Sequence, residues 1–226
     1  MRTIVIGDIH GCYTELKELL LTLETKGEYN KDADKLIFLG DYVDRGEDSR
    51  LVIELIRSLQ ENNDNVIALM GNHEDMLLDY FSGMDNSWTL NGHTKTIASY
   101  KGYYEEFDND MEWMKNLPLY HEDEYFIYVH AGIDVNKPMN KQDKNTLLWV
   151  RNPFIYNKKA YHKRVIFGHT PTLNMSDDNY PICTYTNNID IDTGCVYGGA
   201  LTALIIDDDE INGFYQIEKL NNKHIA

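Results

Sequence analysis

The run "VIGDIHG", Val5 to Gly11, decides how the rest of this chain is read. A β-type apolar stretch ends in Gly7-Asp8, and one residue later comes His10-Gly11. A carboxylate and an imidazole at a strand's end, each beside a glycine, form either a polar turn or one corner of a site. Glycine lets the backbone turn sharply and approach other groups closely. The choice rests on whether other strands of the chain end in the same way.

They do. "KLIFLG" (35–40) runs into Asp41, Asp44 and Arg45 of "GDYVDRG", and "NVIALMG" (65–71) into Asn72-His73. Further on, "YFIYVH" (125–130) ends in His130 and "RVIFGH" (164–169) in His169. Between the first three runs lie helical patterns. Leu16, Leu19, Leu20 and Leu23 keep the i, i+3, i+4, i+7 spacing, Leu51, Leu55, Ile56 and Leu59 mark a second helix, and "EDMLLDYF" (74–81) opens a third. The order βαβαβα with crossovers of this length predicts an α/β protein with parallel strands. In an open α/β sheet, ligands bind beyond the carboxyl ends of the strands. Asp8, His10, Asp41, Asn72, His73, His130 and His169 are therefore expected around one crevice.

Imidazole and carboxylate without thiolate suit borderline divalent ions. A two-metal site holds its ions about 3.5–4 Å apart, which calls for a shared carboxylate. Asp41, at the end of the central one of the three early strands, is the expected bridge. Asp8 and His10 then complete one metal, and Asn72, His130 and His169 the other.

From Ser82 to Pro118 no strand pattern is visible, aromatics are dense and acids cluster at 105–112. This segment reads as a helical insertion in a single domain spanning 1–226, with its aromatics in the core. "NIDID" (188–192) and "ALTALII" (200–206) are further strands, and "DDDEING" (207–213) reads as a hairpin turn before "FYQIEKL". The strand-rich second half is expected to be antiparallel. Asp190 and Asp192 alternate with Ile189 and Ile191, as in a half-buried strand.

The 21 Lys+Arg against 37 Asp+Glu give a formal net charge of −16. That field disfavours nucleic-acid and membrane partners, yet a bound cation inverts the local potential and admits a phosphorylated substrate. Three cysteines without a C-x-x-C pair point to a reduced compartment, and no apolar run is long enough to span a bilayer, so a cytoplasmic location is expected. Cys12 and Cys195 are expected to be inert and buried. His93, His121, His162 and His224 read as surface histidines, and Glu74 as a first-turn acid facing the helix dipole.

"GDIHG", "GDYVDRG", "GNHE", "HAG" and "GHT", in this order, resemble the phosphoprotein phosphatase family of calcineurin-like metallophosphoesterases. With "LLWVR" (147–151) and "DIDTGCVYGGALTAL" (190–204), the similarity is to the lambda-type bacterial serine/threonine protein phosphatases, and also to symmetrical diadenosine tetraphosphatases. The resemblance implies a central β-sandwich flanked by helices, with Asp8, His10, Asp41, Asn72, His130 and His169 as ligands of two divalent ions. Manganese is the implied metal, with zinc or iron as alternatives. It further implies His73, paired with Asp44, as general acid, and Arg45, Arg151 and Asn72 as substrate-binding groups. Met70 departs from the pattern, standing where many protein phosphatases of the family carry an arginine.

The expected activity is hydrolysis of a phosphoric monoester by a two-metal-activated hydroxide attacking phosphorus in line, with a phosphoserine or phosphothreonine protein as first substrate. The alternative is symmetrical cleavage of a dinucleoside polyphosphate. Other phosphate chemistries are excluded by inspection: no Gly-Lys pair of a P-loop occurs, and the residues six past each cysteine are Glu18, Ile189 and Leu201, none an arginine.

Overall fold

The structure, a computed structural model, describes residues 1–84 and 87–220; His224 lies outside the described residues. Strand β1 (Arg2–Ile6) leads through α1 (Tyr13–Thr25) to β2 (Lys35–Phe38), then through α2 (Ser49–Asn62) to β3 (Val66–Ala68) and α3 (Asn72–Phe81). After α4 (His93–Ser99) and α5 (Tyr104–Lys115) come β4 (Tyr120–Glu122) and β5 (Phe126–Val129). Then follow α6 (Lys144–Trp149), α7 (Asn152–Ile155), β6 (Arg164–Phe167), β7 (Ile182–Cys183), β8 (Ile189–Asp190), β9 (Ala200–Asp207) and β10 (Glu210–Glu218).

Two five-stranded sheets result, one in the order β10-β9-β1-β2-β3 and the other β4-β5-β6-β8-β7. The first contains the expected parallel set, with Val5 opposite Ile37 and Ile37 opposite Ile67. The second half departs from expectation. Its central strands β5, β6 and β8 are parallel, because a crossover through α6 and α7 brings β6 back in the direction of β5, and the long connection over 168–188, which includes β7, does the same for β8. Antiparallel pairing enters at the edges, where β4 joins β5 and β7 joins β8, and in the first sheet, where β9 joins β1 and β10 joins β9. The β9–β10 hairpin is also tighter than 207–213. Its strands continue to Asp207 and Glu210, and a bulge between Ile211 and Gly213 absorbs the glycine inside β10.

Strand period two separates the two cores. Val5, Ile37, Leu39 and Leu69 meet Phe126, Tyr128, Ile166 and Ile191 between the sheets. The alternate residues Ile4, Ile6, Leu36 and Phe38 pack under Leu16, Leu19 and Leu23 of α1 and Val52, Ile53 and Ile56 of α2. Ile127, Val129 and Val165 do the same beneath Leu147 and Phe154. Both faces of β1 and β5 are thus covered, which is why their sequences are apolar without alternation. At about 1.5–3 kcal/mol for each fully buried aliphatic or aromatic side chain, the sandwich is a rigid platform for the loops at its edge.

Trp88, Tyr100 and Phe107 join the first core, whereas Tyr104 is exposed. His121 and His93 are half-buried, contrary to the surface reading. The His121 ring stacks on Tyr128 and the His93 ring packs 5.3 Å from Trp88, while His162 is exposed. No described helix is long and apolar enough to cross a membrane.

Candidate metal centre and active site

The carboxyl ends of β1, β2, β3, β5 and β6 meet at one edge of the sandwich. The Asp41 carbonyl accepts the N–H groups of Ile9 and His10 at 3.1 and 2.8 Å, so the loops after β1 and β2 are tied together. Asp8 ties β1 to β6 by accepting the His169 N–H at 3.2 Å on each carboxylate oxygen. Asp41 Oδ1 accepts the His73 N–H at 3.0 Å and so reaches the loop after β3. Glycine is needed where these loops cross. A Cβ on Gly71 would stand 2.2 Å from Asp41 Oδ1, and one on Gly168 2.2 Å from Asp8 Oδ1.

Five of the expected site residues hold a left-handed backbone: His10 (φ 45), Asp41 (54), Asp44 (70), Arg45 (69) and His169 (69). Outside glycine this conformation is uncommon, and Asp and His are among the residues that tolerate it best. Such strain persists only where the surroundings over-determine it, and it clusters at functional sites.

Asp41 lies between two groups of donors. Its Oδ2 is 3.3 Å from His10 Nε2 and 4.0 Å from His73 Nε2, and its Oδ1 is 3.5 Å from His130 Nε2. Asp41 with His10 and His73 forms one group able to hold a metal ion, and Asp41 with His130 and His169 forms the other. Asn72 Oδ1 completes the second side at 2.8 Å from both His130 Nε2 and His169 Nδ1.

The donor set fits cations. His10 Nδ1 faces the Val43 carbonyl at 2.8 Å and His130 Nδ1 the Leu39 carbonyl at 3.0 Å. A carbonyl only accepts, so these nitrogens carry the protons, and Nε2 of each neutral ring turns a lone pair inward. Burial, reinforced by His73 against His10 and opposed by Asp41 at both rings, lowers both pKa values and favours that neutral form. His130 Nε2 therefore faces two acceptors, Asn72 Oδ1 and Asp41 Oδ1, across distances that a cation would fill. His169 Nε2 is buried without a hydrogen-bond partner among the described residues, and burial lowers its pKa too. Backbone carbonyls that orient ligating imidazoles are the usual support of such a centre.

Asp41 itself stays ionised. Burial works against the charge, but the imidazoles of His130, His73, His10 and His169 outweigh it and hold the pKa below the carboxylate range. The other acids around it are pushed up. Burial, then the charge of Asp192, raises Asp8. Burial pushes Asp192 up to about 7, against the Gly194 N–H it accepts.

His73 Nδ1 lies 2.6 Å from Asp44 Oδ2. The same oxygen accepts Trp88 Nε1 at 2.9 Å, and Asp44 Oδ1 accepts the Thr96 hydroxyl at 2.6 Å. Arg45 donates to His10 Nε2, and Arg151 Nη1 donates to the Thr170 hydroxyl at 3.3 Å. Both arginines line a cavity of about 270 Å³ with His10, Asp41, Asn72, His73 and His169.

Residues 1–198 match the pattern described as calcineurin-like phosphoesterase. The chain belongs to that family. Its members are hydrolases built around a dinuclear divalent metal centre, and this metallophosphoesterase carries a buried donor set of matching kind. A protein of Oceanobacillus iheyensis named bis(5'-nucleosyl)-tetraphosphatase PrpE [asymmetrical] is 31% identical over 230 residues, covering 90% of this chain and 88% of its own. A solved structure of a candidate diadenosine tetraphosphatase superposes with a TM-score of 0.70 at 21% identity, over 97% of this chain and 94% of that one. A Saccharomyces cerevisiae protein serine/threonine phosphatase similar to human phosphatase PP5 gives 0.69 at 15% identity, over 100% and 82%. These two show a shared fold.

Of the ligands expected in this metallophosphoesterase, His10, Asp41, Asn72 and His169 line the cavity, whereas Asp8 and His130 are buried and do not, and beside Asp41 and His10 it is His73, not Asp8, that completes a donor group. Other groups at the cleft escaped the sequence reading. Asp192 lines the cavity, and both it and Asp190 are buried rather than alternating with solvent: Asp190 ends β8, an inner strand of its sheet, and Asp192 follows in the loop beside the cleft, where its carbonyl accepts the Thr172 N–H. Glu74 does more than face a dipole. Fully buried, it accepts the N–H groups of Gly71, Asp41, Tyr42 and Val43 at 3.0, 2.8, 2.8 and 3.2 Å. Its signal was the fourth letter of "GNHE". Trp88 and Thr96, which reach Asp44 from the 82–118 segment, had no local signal.

Proposed function

We propose that this protein hydrolyses dinucleoside tetraphosphates asymmetrically, splitting water and the substrate into a nucleoside triphosphate and a nucleoside monophosphate. The observation that carries the reaction class is Asp41 set between His10 on one side and His130 and His169 on the other, beside the Asp44–His73 pair and two arginines. Support for the substrate class comes from the Oceanobacillus relative, whose similarity runs over 90% of this chain. This places the dinucleotide ahead of the phosphoserine or phosphothreonine protein that the motifs put first. It also replaces symmetrical by asymmetrical cleavage.

Asp8, His10 and Asp41 would hold one divalent ion and Asp41, Asn72, His130 and His169 the other, manganese being the expected metal. Two such ions, when bound, make water nucleophilic at neutral pH and neutralise charge on the phosphoryl oxygens. Arg45 and Arg151 present planar forks matched to those oxygens. His73 gives its Nδ1 proton to the hydrogen bond with Asp44, which leaves Nε2 to hold the proton aimed at the cavity. As the bond between the α-phosphorus and the bridging oxygen breaks, that proton passes to the oxygen of the leaving nucleoside triphosphate. Residues 82–118 act as an insertion in a single domain, steadying this pair through Trp88 and Thr96.

The test is product analysis by anion-exchange chromatography after incubation with diadenosine tetraphosphate and manganese. Equal ATP and AMP are expected. ADP alone would establish symmetrical cleavage, and phosphate release from a phosphothreonine peptide without dinucleotide cleavage would restore the protein-phosphatase reading.

A further inference from the structure

One wall of the cleft is apolar and has no part in the phosphate chemistry. Tyr197 is 55% exposed and Leu173 38% exposed, and with Pro171 they line the same cavity as Arg45 and Arg151. Large apolar groups left open beside charged ones in a concave site are unusual unless a ligand covers them. The wall is built, not loose. Leu173 packs so closely on Gly194 that a Cβ there would stand 2.8 Å from Leu173 Cδ1, which joins the 171–174 and 194–199 segments. The Arg45 guanidinium lies over the Tyr197 ring, 5.4 Å from its centroid, so the ring borders a phosphate-gripping group directly. Asn174 lines the same wall and offers an amide donor and acceptor.

We propose that Tyr197, with Leu173 and Pro171, is a platform on which a nucleobase of the substrate stacks. This rests on the dinucleotide reading and adds the subsite to it. The wall's place beside Arg45 suits asymmetrical cleavage. There the bond broken runs from the first phosphorus to the oxygen bridging it to the second, so the nearest nucleoside is one phosphate from the reacting centre. In symmetrical cleavage it is two phosphates away. Stacking tolerates any base, because each has a π-face, so adenine and guanine dinucleotides are both accepted. Selectivity over phosphate alone then comes from the ring.

The test uses the manganese-loaded full chain, with β-glycerol phosphate as a ring-free reporter and ATP and inorganic triphosphate as competing inhibitors. In the wild type ATP binds more tightly than triphosphate. In Tyr197→Ala that ratio of inhibition constants falls about tenfold, in Leu173→Ala it falls less, and Tyr197→Phe restores it. A wild-type ratio near one, or a ratio unmoved in Tyr197→Ala, overturns the platform. Equal weakening of ATP and triphosphate does so as well, since the ring would then only prop Arg45. If the wild type leaves diadenosine tetraphosphate intact, the dinucleotide reading fails, while the ATP-to-triphosphate ratio still decides on the platform.

Discussion

Asp44 Oδ2 and His73 Nδ1 lie 2.6 Å apart, and neither residue is free to turn away. Trp88 and Thr96 take up the remaining acceptor positions of the Asp44 carboxylate, which is fully buried. Three donors on one carboxylate fix its plane, and that plane fixes the imidazole.

Asp44→Asn is accordingly expected to lower kcat about 10²-fold, the range set by general-acid catalysis. Trp88→Phe should cost about tenfold. Both should leave metal content unchanged. The informative measurement is leaving-group dependence. Phenyl phosphate, whose phenoxide needs protonation, should lose more rate than p-nitrophenyl phosphate. Equal losses on both would mean that the pair is structural.

Among the described residues, Asp41 is the one carboxylate within reach of both imidazole groups. Asp41→Asn removes one of the two carboxylates on the Asp8–His10 side and the sole carboxylate on the Asn72–His130–His169 side, and should reduce bound manganese from two ions per chain to one or none. Activity should fall by at least about 10²-fold. Metal analysis after gel filtration checks this. An Asn variant that keeps two ions would show that the bridge lies elsewhere.

Glu74 is expected to matter for the fold before it matters for turnover. Glu74→Ala leaves the four N–H groups of Gly71, Asp41, Tyr42 and Val43 without their acceptor inside the protein. At about 1–3 kcal/mol for each buried donor left unpaired, partly relieved by water entering the space, a loss of about 3–5 kcal/mol is expected in urea titration. A loss under about 1 kcal/mol would show that these amides find other acceptors.

The difference between Glu74 and Asp8 shows what was legible in the sequence. Asp8 and its counterparts stand at the ends of apolar runs, and strand topology alone sends such ends to one edge. The meeting of these side chains at one edge of the sandwich and the donor types they bring could both be read this way. Glu74 works through backbone amides of another loop, 31 to 33 positions away, and no side-chain pattern records such bonds. Trp88 and Thr96 lie 44 and 52 positions from Asp44. Their type suited a core residue and a helix residue equally well. The parallel centre of the second sheet was hidden for a different reason. Its strands β6 and β8 are short, and hydrophobic periodicity carries no information on direction.

Several acids crowd the cleft, and this sets how stability should vary with pH in metal-free protein. Burial, then the charge of Asp41, pushes Glu74 up to about 8, and burial pushes Asp192 up to about 7. Asp8 and Asp190 are raised in the same sense. A carboxyl that holds its proton more tightly folded than unfolded stabilises the native state below the usual carboxylate range, and that contribution is lost as pH climbs through the folded pKa. His10, His130 and His169 are lowered, so they act oppositely, but half of their effect on the unfolded chain's protons is over by pH about 6.5 and the rest fades by about 7.5. Between pH 6.5 and 8 the carboxyls dominate, and the melting temperature in EDTA should fall across that window, most steeply in its upper half. Divalent ions prefer the ionised carboxylates, so the rise in melting temperature on adding manganese should be larger at pH 8 than at pH 6.5. A metal-free melting temperature that is flat or climbs from pH 6.5 to 8 would show that the acids are already ionised and neutralised within the fold.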